Sequence, residues 1–368
     1  MPRRITVYLE APPGDGLRSA QDHFSQYIKP ILCKSGLDWD FVVGRQQGDV
    51  RAVVAERVRR ARRVVEKDLG NPIAQDAPTA GDAIEEIRRR NGIPDYEGVK
   101  GDIIVGRHTW KEYVRGLHEG WLGPLAPPIE PTPMREAETA AVKLPSAEET
   151  EAANGSAVEG KPKQPRQLQP YNIPEQYPSS SLPRFIPAEL GPSVPISFPH
   201  ILGFFNTPTR MYRYLNRRSL ADDIGRDVAS ICLASYREYR EDTDGYEQAA
   251  VLIHEEKNWV KTVWKCAEDD KCKGTREGGN KAHTDLPLSH SKEKIWASPI
   301  VLDSRIAARM RRFAIDPEAE QRARQITVPE EQVEGWTKGK LRQLVRWGVR
   351  AWKGDQRVIN VGDLDATN

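Results

Sequence analysis

The sequence predicts an α/β fold with a parallel sheet, because strand patterns and amphipathic helical patterns alternate over residues 1–123. Three short apolar runs have the length of strands, and each precedes a segment with apolar residues at helical spacing. Connections of this length join parallel strands by right-handed crossovers. We therefore expect an N-terminal α/β lobe built on a parallel sheet.

The first strands and helices follow from residue periodicity. Ile5, Val7 and Leu9 alternate with other residues in "RRITVYLE", which predicts the first strand. The turn "APPGDG" follows, and residues 17–35 carry apolar residues at helical spacing with a kink expected near Pro30. "LDWDFVV" predicts the second strand, and "VRAVVAERVRRARRVVEKDL" predicts the second helix.

The third strand and helix are separated by a single glycine. "DIIVG" predicts a buried strand that ends at Gly106, and a helix is expected over residues 109–120. Residues 71–95 form an insertion before this strand, with one short helix expected in "DAIEEIRRR".

The composition changes after residue 123. Residues 124–183 are rich in Pro, Glu, Ala, Ser and Lys and nearly lack aliphatic residues, which predicts a disordered linker. Residues 184–368 predict a smaller, mixed β-rich second lobe with helices at 208–240 and 329–352. Within this lobe "QAAVLIHEEKNWVKTVWK" predicts two short strands, and "SRIAARMRRFAI" predicts a helix.

Charge and composition exclude several classes of function. The chain has 55 basic and 53 acidic residues, and its net charge of +2 provides no overall field for binding nucleic acid. No apolar run reaches the length of about 18 residues that indicates a membrane span. Cys266 and Cys272 fit either a small disulfide loop or two free thiols, and neither the cysteines nor the histidines have metal-site spacing. We predict no metal, no cofactor and no catalytic nucleophile.

Two strand-to-helix turns are candidate phosphate sites. Such a site needs glycines, free amide groups and a helix N-terminus behind them. The turn with Gly14 and Gly16 also contains Pro12 and Pro13, which donate no amide hydrogen, and Asp15, which repels anions. The later turn, "VGRHTWKE", has only one glycine.

This later turn resembles the nucleotide-binding lobe of diacylglycerol-kinase-like lipid kinases, acylglycerol kinase most closely. That family places G-G-D-G-T after its third strand, and Thr109 with the helix that follows is similar to this signature. Arg107 and His108 stand where two glycines and an aspartate are expected, one residue short. The resemblance therefore implies a degenerate phosphate loop, formed by Gly14, Gly16, Gly106, Arg107, His108 and Thr109.

Four longer segments resemble a second family, the fungal fifty-four-kilodalton subunits of the mitochondrial carrier translocase. They are "ITVYLEAPPGDGLRSAQDHFSQYIKPIL", "VGRHTWKEYVRGLHEGWLGPL", "LGFFNTPTRMYRYLNRRSLADDIGRD" and "RIAARMRRFAI". The resemblance implies a non-enzymatic inner-membrane subunit that faces the intermembrane space and supports insertion of multi-pass carrier proteins. It also implies contacts with other translocase subunits and with intermembrane-space chaperones. That family begins with a presequence-like region and one transmembrane helix, and neither pattern occurs in this sequence.

Two segments carry basic and apolar residues that suit contact with a partner or with the membrane surface. Phe204 and Phe205 precede a helix in which Arg210, Arg213 and Arg217 share one side. The alternative is a packed core segment with a solvated arginine stripe.

The C-terminal helix also allows two interpretations. One of its faces is apolar and the other is basic, which favours either docking on the second lobe or attachment to anionic lipid. The apolar residues are Leu341, Leu344, Val345, Gly348, Val349 and Trp352, and the basic residues are Arg342, Arg346, Arg350 and Lys353.

The leading hypothesis is a catalytically inactive, kinase-like subunit of the translocase. Two alternatives stay open from the sequence: a residual lipid kinase, and a lipid- or nucleotide-binding regulatory module without turnover.

Overall fold

The computed structural model describes residues 4–68, 87–88, 90–92, 100–126, 169–242, 245–264, 293–326 and 336–352. The chain divides into two compact units, residues 1–315 and residues 316–368.

The N-terminal elements confirm the predicted alternation of strands and helices. The run predicted at 17–35 is helical throughout and contains a π-helical turn, Phe24–Ile28, directly before Lys29 and Pro30. In order, the elements are β1 (Arg4–Glu10), α1 (Arg18–His23), α2 (Lys29–Ser35), β2 (Asp38–Gly44), α3 (Asp49–Asp68), β3 (Gly101–Val105) and α4 (Arg107–Leu122).

The remaining elements of the first unit come after residue 169. They are a 3-10 turn (Pro174–Gln176), β4 (Ser193–Ile196), a 3-10 turn (Phe204–Asn206), α5 (Thr207–Leu215), α6 (Arg217–Leu233), β5 (Tyr236–Glu238), β6 (Glu241–Asp242), β7 (Gly245–Tyr246), α7 (Glu247–Ala250), a 3-10 helix (Ile253–Asn258), α8 (Ser304–Ala307) and β8 (Arg311–Phe313). The second unit contains α9 (Pro317–Gln325) and α10 (Trp336–Trp352).

Besides the small antiparallel pair β6–β7, a six-stranded, mostly parallel sheet runs through the first unit. Its strand order is β2-β1-β3-β4-β8-β5, and only the β5–β8 pair is antiparallel. Strands on both sides of residues 124–183 thus belong to one sheet, and the prediction of a separate β-rich lobe starting at residue 184 is wrong. Strands β4, β5 and β8 have only three or four residues, too few for a clear alternation pattern.

Several predicted elements of the later half also need correction. The helical region predicted at 208–240 is two helices and ends at Leu233, after which β5 begins. The segment predicted as two strands around Lys257 forms α7 and a 3-10 helix, because short apolar runs fit a buried helical turn as well as a strand. The helix predicted in "SRIAARMRRFAI" ends at Ala307 and is followed by β8.

Parts of the predicted linker and insertion fall outside the described residues. Residues 127–168 of the linker and most of the insertion at 71–95 are among them, as are Cys266, Cys272 and residues 329–335 of the predicted last helix. Residues 169–183 are described and contain the buried Tyr177, so the linker prediction is wrong at its C-terminal end. Tyr177 packs in a core cluster with apolar residues of α4, a contact that composition alone does not reveal.

The sheet is covered on both faces, which gives three layers. Val7 and Leu9 face a core that includes Phe24 and residues of α6. Tyr8 faces the opposite core, which is formed largely by α3 and α4. Neighbouring residues of β1 therefore enter different cores, as expected for a strand buried on both faces.

Helices α3 and α4 cross in close contact at two glycines. A Cβ atom at Gly116 would lie 2.6 Å from the carbonyl oxygen of Arg51, and one at Gly120 would lie 2.5 Å from Cβ of Val58. This close packing fixes α4, and hence the turn at Gly106, against the sheet.

Candidate functional site

The candidate site lies at the carboxyl ends of β1, β3 and β4, where parallel α/β sheets bind ligands. Gly106 forms the turn between β3 and α4, and its φ of +89° is a conformation that favours glycine. Its N–H donates to the carbonyl oxygen of Ile196 across 2.9 Å. A Cβ atom there would also lie 2.9 Å from the ring of His108. The turn thus requires a glycine for its own conformation and packing, without any ligand.

The anion position in front of α4 is occupied by a carboxylate of the chain itself. Glu255 Oε2 accepts a hydrogen bond of 2.9 Å from the backbone nitrogen of Arg107, and Oε1 accepts one of 2.6 Å from the backbone nitrogen of Phe198. These N–H groups are the donors that a bound phosphate would use at a helix N-terminus. Burial raises the pKa of Glu255 to about 7, while the two N–H groups act in the opposite direction.

Arg107 and Lys111, near the start of α4, are also held by hydrogen bonds and ion pairs. Arg107 is 3% exposed, and its Nε lies 2.8 Å from Oε1 of Glu256. Its guanidinium also donates to the carbonyl oxygen of Val251. Lys111 Nζ lies 2.8 Å from the same Glu256 oxygen and donates to the carbonyl oxygen of Trp296. Both cations therefore attach α4 to other segments of the chain.

His108 and Thr109 are buried in the same turn. The ring Nε2 of His108 lies 3.2 Å from the carbonyl oxygen of Glu10, and burial lowers the pKa of this imidazole to about 4. At neutral pH the ring is therefore uncharged. Thr109 is fully buried, and its hydroxyl has no hydrogen-bond partner among the described residues. Neither side chain presents a group to an external phosphate.

A carboxyl group of the chain also accepts hydrogen bonds from the N-terminus of α3. Glu112 of α4 accepts hydrogen bonds from the backbone nitrogens of Gly48, Val50 and Arg51 at the start of α3, across 2.7, 3.1 and 3.2 Å. Burial and the charge of Glu112 raise the pKa of the neighbouring Glu10 carboxyl well above its usual range. Sequence reasoning missed Glu10, Glu112 and Glu255, because the partners of these buried carboxyls lie far along the chain.

The turn with Gly14 and Gly16 meets the Gly106 turn across a narrow cleft. Pro12 and Pro13 line this cleft together with His108, His200, Arg213 and Glu255. Its volume is about 10 Å³, room for about one water molecule. The structure therefore brings the two predicted glycine turns together but leaves no space for a phosphate between them.

The first predicted contact surface is exposed. Phe204 is 83% exposed and Phe205 is 94% exposed, and Arg210, Arg213 and Arg217 all lie on the surface. The alternative of a packed core segment is therefore wrong for the two phenylalanines.

The second predicted contact surface, on α10, also exposes its apolar residues. Leu341, Leu344 and Val345 are exposed, Arg342 is half-buried and Arg346 is exposed. The side chains of Arg350 and Trp352 fall outside the described part of the structure.

The described residues lack two features of membrane and metal proteins. None of the described helices combines the length and hydropathy of a candidate membrane span. Within the same residues no group of three or more His, Cys, Asp or Glu side chains is arranged to hold a metal ion.

Comparison with known proteins identifies the family. The family model of the inner membrane protein import complex subunit Tim54 matches residues 1–313. The mitochondrial import inner membrane translocase subunit tim54 of Neurospora crassa is 50% identical over 99% of this chain and 77% of its own length. The proteins of the same name from Aspergillus fumigatus and Aspergillus oryzae are 40% and 41% identical over 90% of this chain, and 80% and 78% of their lengths are covered. The resemblance seen in the four quoted segments is thereby confirmed, and the chain belongs to the family of the inner membrane protein import complex subunit Tim54.

Proposed function

We propose that this chain is a non-enzymatic subunit of the mitochondrial inner-membrane carrier translocase. It faces the intermembrane space, supports assembly of the complex and thereby supports insertion of multi-pass carrier proteins. The family and the printed names of the relatives support the assignment to an inner-membrane import complex. The observation that carries the non-enzymatic role is the position of the Glu255 carboxylate on the N–H groups of Arg107 and Phe198.

Phosphoryl transfer places strict demands on such a turn. Its catalysis depends on positioning the phosphates and on stabilising their charge with free amide groups, cations and metal ions. Here the amide groups bind Glu255, and the cations Arg107 and Lys111 pair with Glu256. A carboxylate at this point repels a phosphate, and the cleft beside it holds about one water molecule. These contacts argue against both a residual lipid kinase and a nucleotide-binding module.

The fold is consistent with descent from a lipid-kinase lobe. A mostly parallel sheet leads from β3 through Gly106 into α4, at the place where diacylglycerol-kinase-like enzymes carry their glycine-rich signature. In this proposal the glycines and the aspartate of that signature have been replaced, and Glu255 fills the space that the phosphates once used. The lobe retains its packing and serves as a structural part of the complex.

Other translocase subunits and intermembrane-space chaperones are the partners that this role requires. We assign attachment at the inner-membrane surface or at a membrane-embedded partner to α10. Its exposed Leu341, Leu344 and Val345 provide an apolar face, and Arg342 and Arg346 provide positive charge.

Co-purification from fungal mitochondria tests the proposed role. The tagged chain is expected to bring down the other subunits of the carrier translocase, and its depletion is expected to lower the amount of assembled complex and the insertion of carriers. Recovery of the chain without any translocase subunit, or normal complex assembly after its depletion, would contradict the proposal.

A further inference from the structure

Residues 204–215, named here the exposed arm, leave an unusual amount of apolar surface open. The arm consists of the 3-10 turn Phe204–Asn206 and helix α5. Phe204 and Phe205 are almost fully exposed, and Met211 and Leu215 are 66% and 64% exposed. None of the residues of α5 is buried. Contiguous apolar surface of this kind marks an interaction site.

The arm is held in place at both ends. Before it, Ile201 is buried, and the side-chain amide of Asn206 donates to the carbonyl oxygen of Leu202 across 2.7 Å. After it, α6 packs Ile224 and Val228 into the core beneath the sheet. The apolar residues are thus presented by a fixed element, and their exposure is a property of the folded unit.

Helix α5 has two distinct sides. At 100° per residue, Met211 and Leu215 lie 40° apart, and Arg213 lies on the opposite side. Arg213 lines the cleft beside Glu255, so this edge of the helix borders the body of the unit. The side with Met211 and Leu215 consequently faces away from it, and no described part of the chain buries those side chains.

We propose that the exposed arm binds the surface of an anionic lipid bilayer. Its nine-residue helix spans about 13 Å, too short to cross a bilayer but sufficient to lie in the interface with its apolar side down. The two exposed phenylalanines directly precede the helix and add to its exposed apolar surface. Arg210 lies 100° around the helix from Met211, and Arg217 follows two residues after the helix ends. Both are exposed, and long arginine side chains reach phosphate headgroups while their stems remain on apolar surface.

Charge complementarity and location favour lipid as the occupant. A bilayer rich in anionic lipid attracts arginines near its surface and accepts inserted phenylalanines, and the arm offers both on one short element. The argument for location rests on the proposed function, which places the chain at the inner membrane. Helix α10 belongs to the other compact unit.

Flotation with vesicles tests this assignment. The full chain is mixed with vesicles of phosphatidylcholine and cardiolipin, and the bound fraction is measured after centrifugation through a density gradient. Phe204→Ser with Phe205→Ser is expected to weaken binding at least about tenfold, because two large apolar side chains no longer insert. Arg210→Gln with Arg217→Gln is expected to weaken it about fivefold per charge and to reduce its salt dependence.

Matched variants control for nonspecific effects of the substitutions. Phe185→Ser removes an exposed phenylalanine elsewhere, and Arg18→Gln with Arg184→Gln removes two exposed charges elsewhere. Both controls are expected to bind like the starting protein. All substituted side chains are exposed, so the midpoint of thermal unfolding is expected to stay unchanged. Met211→Ser with Leu215→Ser provides a second apolar variant and is expected to weaken binding as the phenylalanine pair does.

Two results would overturn the lipid assignment. One is flotation of both apolar variants at the level of the starting protein. The other is loss of co-purified translocase subunits from these variants with unchanged vesicle binding, which would assign the arm to a protein partner. Flotation tests lipid binding, and co-purification tests the proposed role in the complex. Failure of the lipid assignment therefore does not decide whether the proposed role is correct.

Discussion

The backbone N–H of Arg107 donates a hydrogen bond of 2.9 Å to the carboxylate of Glu255, 148 residues later in the chain. This contact joins the turn after β3 to the 3-10 helix Ile253–Asn258. The N–H groups at the start of α4 are thereby satisfied by a side chain of the protein itself. The turn after β3 is an internal structural contact.

Removal of this carboxylate is expected to destabilise the first unit. In Glu255→Ala the buried N–H groups of Arg107 and Phe198 lose their acceptor, and each unsatisfied buried donor costs about 1–3 kcal/mol. We expect the free energy of unfolding to fall by about 2–4 kcal/mol in denaturant titrations. The exposed Glu175→Ala variant is the control, with an expected change within about 0.5 kcal/mol. Equal changes in the free energy of unfolding of the two variants would show that the contact does not stabilise the fold.

The same carboxyl predicts a pH dependence of stability. Burial raises the pKa of Glu255 from its ordinary 4.5 to about 7, so the unfolded chain loses this proton at lower pH than the folded chain. Its contribution to stability is therefore fully present below pH 4.5 and is lost as the pH rises through 7. The loss amounts to at most about 3 kcal/mol.

Buried histidines act in the opposite direction and have to be separated from this effect. Burial lowers the pKa of His23, His108 and His118 to about 4, so their contribution is present above pH 6.5 and is lost as the pH falls through 4. Comparison with Glu255→Gln isolates the carboxyl, because the histidines are common to both proteins. The starting protein is expected to lose stability relative to this variant between pH 4.5 and 7.5, and a difference that does not change with pH would contradict the assignment.

Two glycine substitutions are expected to have opposite effects, one at the crossing of α3 and α4 and one in α6. Gly116→Ala forces a methyl group against the Arg51 carbonyl oxygen, and such overpacking costs about 1–3 kcal/mol. Gly225→Ala, in α6, meets no atom within 4 Å and is expected to add about 0.5–1 kcal/mol by its helix propensity. Thermal unfolding of both variants checks the prediction. A neutral or stabilising Gly116→Ala would show that the helices are less closely packed than described.

The basic face of α10 predicts salt-sensitive attachment. Replacement of Arg342, Arg346 and Arg350 by glutamine nearly preserves helix propensity and removes three positive charges. Binding to cardiolipin-containing vesicles is expected to fall, and binding of the starting protein is expected to fall when salt is raised. Arg322→Gln with Arg324→Gln, in α9 of the same unit, is the control. Attachment through α10 is ruled out if the starting protein does not bind the vesicles. It is also ruled out if neither the substitutions nor added salt changes the bound fraction.

The sequence predicted the N-terminal half of the fold because its pattern is local. Val7 and Leu9 alternate with Tyr8 in β1, and the break at Gly106 separates a buried strand from an amphipathic helix. The later half was predicted less well because β4, β5 and β8 are very short and take their conformation from the neighbouring strands. A segment such as "VLIHEE" has the apolar character of a strand but folds into helical turns around Glu255.

The sequence indicates only part of what the structure shows at the candidate site. Arg107 and His108 are visible in the sequence and predict a turn without a complete phosphate-binding signature. The carboxylates that close it are not, because Glu112 and Glu255 reach their partners 62 and 148 residues away. No local spacing signals a contact of this kind.

A lipid-kinase assay tests the central claim most directly. Purified protein is incubated with labelled ATP, magnesium and monoacyl- or diacylglycerol, and the labelled phospholipid is separated and counted against a blank without protein. Because Glu255 occupies the N–H groups of Arg107 and Phe198, we expect no product above the blank. Sustained turnover that is abolished by substitutions at Arg107 and His108 would contradict the account.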